Sequence, residues 1–298
     1  MVTQDFFSDE YIRQQIYKLK KKFLLEYLSD PDAYDSQDVD ELFDDPTKEW
    51  NFKRFLLNSY LNLDKAFLQL CACYRWKKEI GIRYIRDQDF PLEFFASGAL
   101  IPYETDLHGN PCLYIRVKFM RRAPEIMHVF KLFFIHQMNK VDTESEGFGW
   151  TLIFDFSGAS IGNCDLEMVN FLINAICDYY PCGVDYILTY ELPWYLSAVW
   201  KVIRSCIPDH SKGLVRCADK KTILTFISID HLPDFMGGKC SRSYRDIPKG
   251  CITTQEYGSK VLGLSKKQLS SLLHKFKPLL MEVCEHHSEE LIISDLMG

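Results

Sequence analysis

Ile187-Leu-Thr-Tyr-Glu-Leu-Pro-Trp-Tyr-Leu-Ser-Ala-Val-Trp-Lys-Val-Ile-Arg204, with Leu232-Pro-Asp-Phe-Met-Gly-Gly238 further on, is the stretch on which the fold turns. An apolar strand over 186–191 runs into Leu192-Pro193-Trp194, and a helix is expected from Trp194 to Ile207. That helix carries Trp194, Tyr195, Leu196, Val199, Trp200, Val202 and Ile203, more apolar surface than one core-facing stripe needs. Three readings stand at this level: core packing, a lid over an apolar cavity, or a groove for a protein partner.

Upstream, strands alternate with helices. Leu113, Ile115, Val117 and Phe119 share one face of an alternating strand, with Tyr114, Arg116 and Lys118 on the other. His108-Gly109-Asn110 is turn chemistry, which makes residues 98–104 the hairpin partner. Trp150-Thr-Leu-Ile-Phe-Asp-Phe156 is a nearly continuous apolar run, as a central strand covered on both faces requires. Helices are expected at 124–141, 165–180 and 220–228, with a last short strand at 213–217. This order predicts an α/β lobe with a mainly parallel sheet.

The first 85 or so residues read as all-helical. Ser8 caps a helix over 8–28, with Ile12, Ile16, Leu19, Phe23 and Tyr27 on one face and Lys18, Lys20, Lys21 and Lys22 on the other. The lysines read first as a solvated face, second as an approach to lipid headgroups. Acidic 35–45, Trp50–Tyr60 and a segment opened by Asn62 and closed by Gly81 supply further helices. The expected organisation is a helical lobe over 1–90, an α/β domain over 91–240, then a loose linker (239–260) and a helix over 266–284 broken at Pro278.

Of the 298 residues, 47% are apolar and 14% aromatic, and the net charge is -6. General attraction to nucleic acid or to an acidic membrane is not expected from that balance. The 11 cysteines, an odd number with no apolar leader ahead of them, favour a reduced, cytoplasmic setting. No run of 18 apolar residues is present, so no transmembrane helix is expected. A Gly-rich phosphate loop and a Gly-x-Ser-x-Gly elbow are both missing. Asp155 ends a strand, where α/β enzymes place acids, yet no His, Lys or second carboxylate accompanies it at a suggestive spacing, so it reads as a loop cap. Cys284, His286 and His287 with Glu282, and Cys71 with Cys73, lack paired ligand knuckles. The expectation is no catalytic residue, no metal and no cofactor.

A set of motifs in order resembles the Sec14-like CRAL-TRIO family. Phe52-Lys-Arg-Phe-Leu-Leu57, Asn62-Leu-Asp-Lys-Ala-Phe67 and Tyr74-Arg-Trp-Lys-Lys-Glu79 resemble its helical entry. Gly109-Asn-Pro111 resembles its first hairpin and Phe154-Asp-Phe-Ser-Gly158 its central strand and turn. Asp178-Tyr-Tyr-Pro181, Leu192-Pro-Trp194 and Leu232…Gly238 follow in the family's order. The resemblance implies a helical lobe beside an α/β lobe whose sheet floors an apolar cavity under a gate helix. It implies a non-enzymatic protein that binds one phospholipid or other hydrophobic lipid and exchanges it during transient contact with a membrane surface. Expected cavity residues are Leu113, Ile115, Val117, Leu152 and Phe154, and expected gate residues are Trp194, Leu196, Val199, Trp200 and Ile203. Lys221 matches a headgroup lysine of phosphatidylinositol-binding members, whereas Ser59 and Tyr60 stand where those members carry a basic pair. A scaffold that binds a protein partner and has lost transfer is the alternative.

Overall fold

The structure is a computed structural model describing residues 8–44, 49–207 and 209–286. The chain divides into two compact units. The first gathers Met1–Ile85, Asp142–Trp150 and Leu172–Asp185, and the second takes the rest.

The first unit opens with four helices: α1 (Asp9–Ser29), α2 (Ser36–Asp44), α3 (Trp50–Asn58) and α4 (Leu63–Ile80). Their ends follow cap chemistry. The Ser8 hydroxyl accepts from the Tyr11 N–H and the Asn62 side chain from the Lys65 N–H, each satisfying an otherwise orphaned donor. Gly81, at φ 64°, closes α4 in the left-handed conformation. Ile12, Ile16, Leu19 and Phe23 of α1 bury against Phe52, Phe55 and Leu56 of α3 and Ala66, Leu70 and Cys73 of α4.

This unit is tied by a buried ion pair. Arg54 Nη1 and Nη2 donate to the two Asp142 carboxylate oxygens at 2.7 and 2.8 Å, and Arg54 Nε donates to the Pro181 carbonyl at 2.7 Å. Trp150 Nε1 adds a bond to Asp142 Oδ1 at 3.1 Å. Gly183 lies so close that a Cβ there would come within 2.5 Å of the same oxygen. The Asp178–Pro181 motif thereby gains a physical reason. Tyr179 stacks on Trp76 at 3.9 Å, Tyr180 is buried, and Pro181 supplies a carbonyl to Arg54.

The second unit holds α5 (Leu92–Ala96), then β1 (Leu100–Thr105), β2 (Pro111–Arg116), α6 (Met127–Glu144), β3 (Trp150–Asp155), α7 (Leu166–Asn174), β4 (Val184–Tyr190), α8 (Ser197–Cys206), β5 (Val215–Ala218), α9 (Thr254–Lys260) and α10 (Lys266–His286), save where α6, β3, α7 and β4 run into the first unit. The sheet order is β1-β2-β3-β4-β5. β1 and β2 are antiparallel, with Leu100 opposite Ile115, while β2 runs parallel to β3, with Leu113 opposite Leu152. β4 runs parallel to β5, with Ile187 opposite Val215. The fold is thus α/β, with a helical amino-terminal part and a mixed, mainly parallel five-stranded sheet. At the β1–β2 turn, Asp106 accepts from the His108 and Asn110 N–H groups and from the Thr151 hydroxyl, fixing the hairpin against β3.

Several elements differ from the sequence expectation. The 165–180 helix is α-helical only to Asn174 and then widens into a π-turn over Ala175–Tyr179. The helix expected at 220–228 is a single 3₁₀ turn, Ile223–Thr225, because the run of Thr and Ser offers side-chain alternatives to helical bonds. The last helix is not broken at Pro278 and continues through it to His286. The stretch read as a loose linker contains α9 and is fastened to the unit. Leu92 N–H donates to the Ile252 carbonyl, Tyr103 Oη donates to the Arg242 carbonyl, and the Thr254 N–H and hydroxyl both donate to the buried Glu93 carboxylate. No described helix is long and apolar enough to cross a membrane.

Candidate functional site

Side chains alternate across the strands, so each strand offers one row to each sheet face. One row comprises Cys112 and Tyr114 of β2, Ile153 of β3, and Tyr186, Leu188 and Tyr190 of β4. It is covered by Ile223, Ile227, Leu232 and Met236, all buried. The Leu232…Gly238 motif therefore seals this face. Its turn is sterically tight: a Cβ on Gly238 would sit 1.7 Å from the Leu232 carbonyl oxygen.

The opposite row carries Leu113 and Ile115 of β2 and Leu152 and Phe154 of β3. At the carboxyl ends of these strands lies a separate apolar cluster. Val117, Phe156, Ala159 and Leu196 are buried in it, and Phe154, Cys164, Leu192 and Trp200 are partly buried against them. The Trp200 ring meets Phe156 edge-on at 6.1 Å.

The segment expected to form the gate is built in two pieces. Pro193 is extended (φ -69°, ψ 146°) and starts a 3₁₀ turn over Trp194–Leu196, from which α8 continues. Leu196 is an anchor at 1% exposure, and the Tyr195 hydroxyl donates to the Ala159 carbonyl at 2.7 Å. Beyond that anchor none of the α8 residues is buried. Leu196, Val199, Trp200 and Ile203 form a stripe at three- and four-residue spacing, of which Val199, Trp200 and Ile203 stay half-buried. Trp194, at 84% exposure, and Val202 point outward.

The loop after β3 is fixed by polar contacts. The buried Asp155 carboxylate accepts from the Ser157 N–H at 2.9 Å, and burial pushes its carboxyl above the usual range. This is the loop cap that the sequence suggests. Phe156 N–H donates to the Tyr190 carbonyl, joining the ends of β3 and β4. Asn163 donates to the Lys118 and Met120 carbonyls, holding the segment that carries Val117.

Of the residues singled out from sequence, Val117, Phe154, Leu196 and Trp200 meet in one cluster. Leu113, Ile115 and Leu152 lie deeper along the strands, at 2% exposure or less. Lys221 is exposed on a turn whose backbone N–H groups bind the Asp219 carboxylate. Phe156 and Ala159 join the cluster without having been singled out, and Tyr195, read from sequence as part of the helix's apolar surface, is tied down through its hydroxyl; the alternation Leu152, Phe154, Phe156 is the signal that marks the first. Cys71 and Cys73 are buried, and among the described residues no group of His, Cys, Asp or Glu is arranged to hold a metal ion. Cys284 and His286 side chains and His287 lie outside the described residues.

Residues 95–238 match the CRAL/TRIO domain model. The chain is 22% identical over 191 residues to the phosphatidylinositol transfer protein CSR1 of Eremothecium gossypii, covering 62% of this chain and 44% of that one. It is 23% identical over 214 residues to Protein real-time of Drosophila melanogaster, covering 63% of this chain and 32% of that one. It therefore spans less than half the length of these relatives. The crystal structure of Sfh5 superimposes with a TM-score of 0.64 at 15% identity, over 89% of this chain and 99% of that one, a likeness of fold.

Proposed function

We propose that the chain, whose residues 95–238 match the CRAL/TRIO domain model, binds a single hydrophobic lipid between its sheet and a gate helix, α8, and exchanges it at membranes. The observation that carries this reading is Trp200, half-buried against the cluster at the carboxyl end of β2 and β3, on a helix whose other stripe residues Val199 and Ile203 are also only half-covered. A helix this apolar, left without a buried residue, is unfinished as core packing. An acyl chain completes it, stabilised by roughly 25 cal/mol per Å² of apolar surface removed from water. The cavity is formed by Leu113, Ile115, Val117, Leu152 and Phe154, and the outward Trp194 suits a headgroup boundary when the helix opens.

The relative's name, phosphatidylinositol transfer protein, supports a phospholipid as cargo. Lys221 is the headgroup contact in this reading. Ser59 and Tyr60 offer no charge-assisted donors for an inositol phosphate, so the main cargo is another lipid. No reaction is proposed, since Asp155 is buried and engaged by Ser157. The chain acts in the cytoplasm, peripherally on membranes that include the endoplasmic reticulum.

Within the family we place the chain nearest the CRAL-TRIO portion of motile sperm domain-containing protein 2. Glu26-Tyr27, Tyr34-Asp35, Asp38-Val39, Ile115-Arg-Val-Lys118 and Met236-Gly-Gly238 support this placement. A tree of family members that separates the two would overturn it.

The test of function is mass spectrometry of a solvent extract of the purified protein, paired with lipid transfer between vesicles. A stoichiometric lipid and measurable transfer are expected. An empty extract with no transfer sinks the proposal. A protein partner captured with loading unaffected by Trp200→Asp points to the scaffold reading.

A further inference from the structure

α1 presents a second apolar row that the helical core does not use. Ile12, Ile16, Leu19 and Phe23 face inward. On the opposite side Tyr17, Leu24, Leu25 and Leu28 stand 69%, 41%, 60% and 66% exposed. Tyr17, Lys21, Leu24 and Leu28 follow one another at four, three and four residues, one continuous stripe. On α4, Leu68 adds a further leucine at 65% exposure, next to Phe67, over whose ring the Lys22 ammonium lies.

Most charges along this stripe are cations; the carboxylate on the same face is Glu10, which accepts from the Gln14 amide. Lys20 and Lys22 are engaged by Glu49 and Asp64. Arg13, Lys18 and Lys21 are exposed and have no carboxylate partner among the described residues. Arg13 and Lys18 flank the stripe on its two sides and Lys21 lies within it. In a chain of net charge -6 such a concentration is local, and long aliphatic stems let these heads reach past buried leucines.

From this pairing of exposed leucines with unpaired cations we infer that the outer face of α1 is a docking surface for an anionic lipid bilayer. A helix lying in the interface buries an apolar row and keeps cations at headgroup level. The arrangement is convex, so a flat surface reaches the whole row at once. A second copy of the chain is disfavoured, because symmetric pairing sets Lys18 and Lys21 of each copy against the same cations. This surface is independent of the lipid cargo, and of α8.

The experiment is flotation of the full chain with phosphatidylcholine vesicles, with and without phosphatidylserine, for wild type, Leu24→Ser/Leu28→Ser and Lys18→Glu/Lys21→Glu. Wild type is expected to float with phosphatidylserine vesicles and to be released by salt. Each cation removed weakens binding about fivefold, and the leucine pair more than tenfold. Because the altered residues are exposed, thermal melting should match wild type. If the leucine variant melts early, the lysine variant alone decides. Flotation unchanged in the lysine variant overturns the inference. So does a wild-type dimer that both variants dissolve, which would assign the face to a second copy.

Discussion

Arg54 and Asp142 show how a single residue pair can dominate one unit. Both side chains are largely withdrawn from water, at 7% and 13% exposure. Burial alone raises the Asp142 carboxyl, but the Arg54 charge and hydrogen bonds outweigh it and hold the group below its ordinary value. A depressed carboxylate contributes stability that is fully present above the unfolded value of about 3.9 and is lost as pH falls through the folded one. Asp142→Ala should cost about 3–5 kcal/mol by leaving a buried guanidinium uncompensated. Calorimetry at neutral pH reads this as an early or separate transition, and an unchanged melt refutes it. Glu93 has the opposite sign. Burial raises its carboxyl despite the Thr254 bonds, so its ionised form opposes folding as pH rises above about 4.3. Glu93→Gln keeps an acceptor for Thr254 and should be the more stable chain at neutral pH. Denaturant midpoints of the two should converge in acid; parallel curves at every pH would reject the assignment.

Among the elements, the tight turn before Gly238 and α8 make separate demands. Gly238→Ala forces a methyl into the Leu232 backbone carbonyl, so the backbone of the turn must move. Gly237 has a positive φ of 85°, but a methyl added there meets nothing within 4 Å, so Gly237→Ala should cost only about 1–2 kcal/mol of strain. Thermal melts should therefore rank Gly238→Ala well below Gly237→Ala, and equal losses would contradict the steric reading. On α8, Trp200→Asp should abolish lipid loading while leaving the melt of the helical unit in place, since Trp200 belongs to the other unit and is only half-buried. Much of this was legible from local chemistry. Ser8, Asn62 and Gly81 mark helix ends by capping and by left-handed geometry. Alternation marks β2 only in part: the strand stops at Arg116, is buried on both faces, and Val117–Phe119 is a 3₁₀ turn. The pairing of Val117 and Phe154 with Leu196 and Trp200 depends on strand register and on which face each row meets, which no single strand encodes. The Tyr195 bond to Ala159 and the tethers from Ile252 and Thr254 join positions far apart in sequence, so periodicity is silent about them.

For the whole molecule, the helical unit is not a contiguous stretch. It is completed by Asp142–Trp150 and Leu172–Asp185, after the chain has contributed the whole of the first two strands and most of α6 to the other unit. The Arg54 bond to Pro181 spans 127 residues and the bond to Asp142 spans 88. At about 5–20 residues per second of synthesis, Arg54 waits roughly 6–25 s for its last acceptor. During that interval the nascent helices carry a guanidinium whose carboxylate and carbonyl partners have not yet been made. Ribosome-stalled chains ending near residue 140 should be cut quickly by protease within 9–80, and chains long enough to expose residue 185 should resist. Early protection would show that the helices mature unaided. Open chains at the shorter length would make the ion pair a timing device in biogenesis, one that postpones the locking of the first-made helices until the middle of the chain has been delivered.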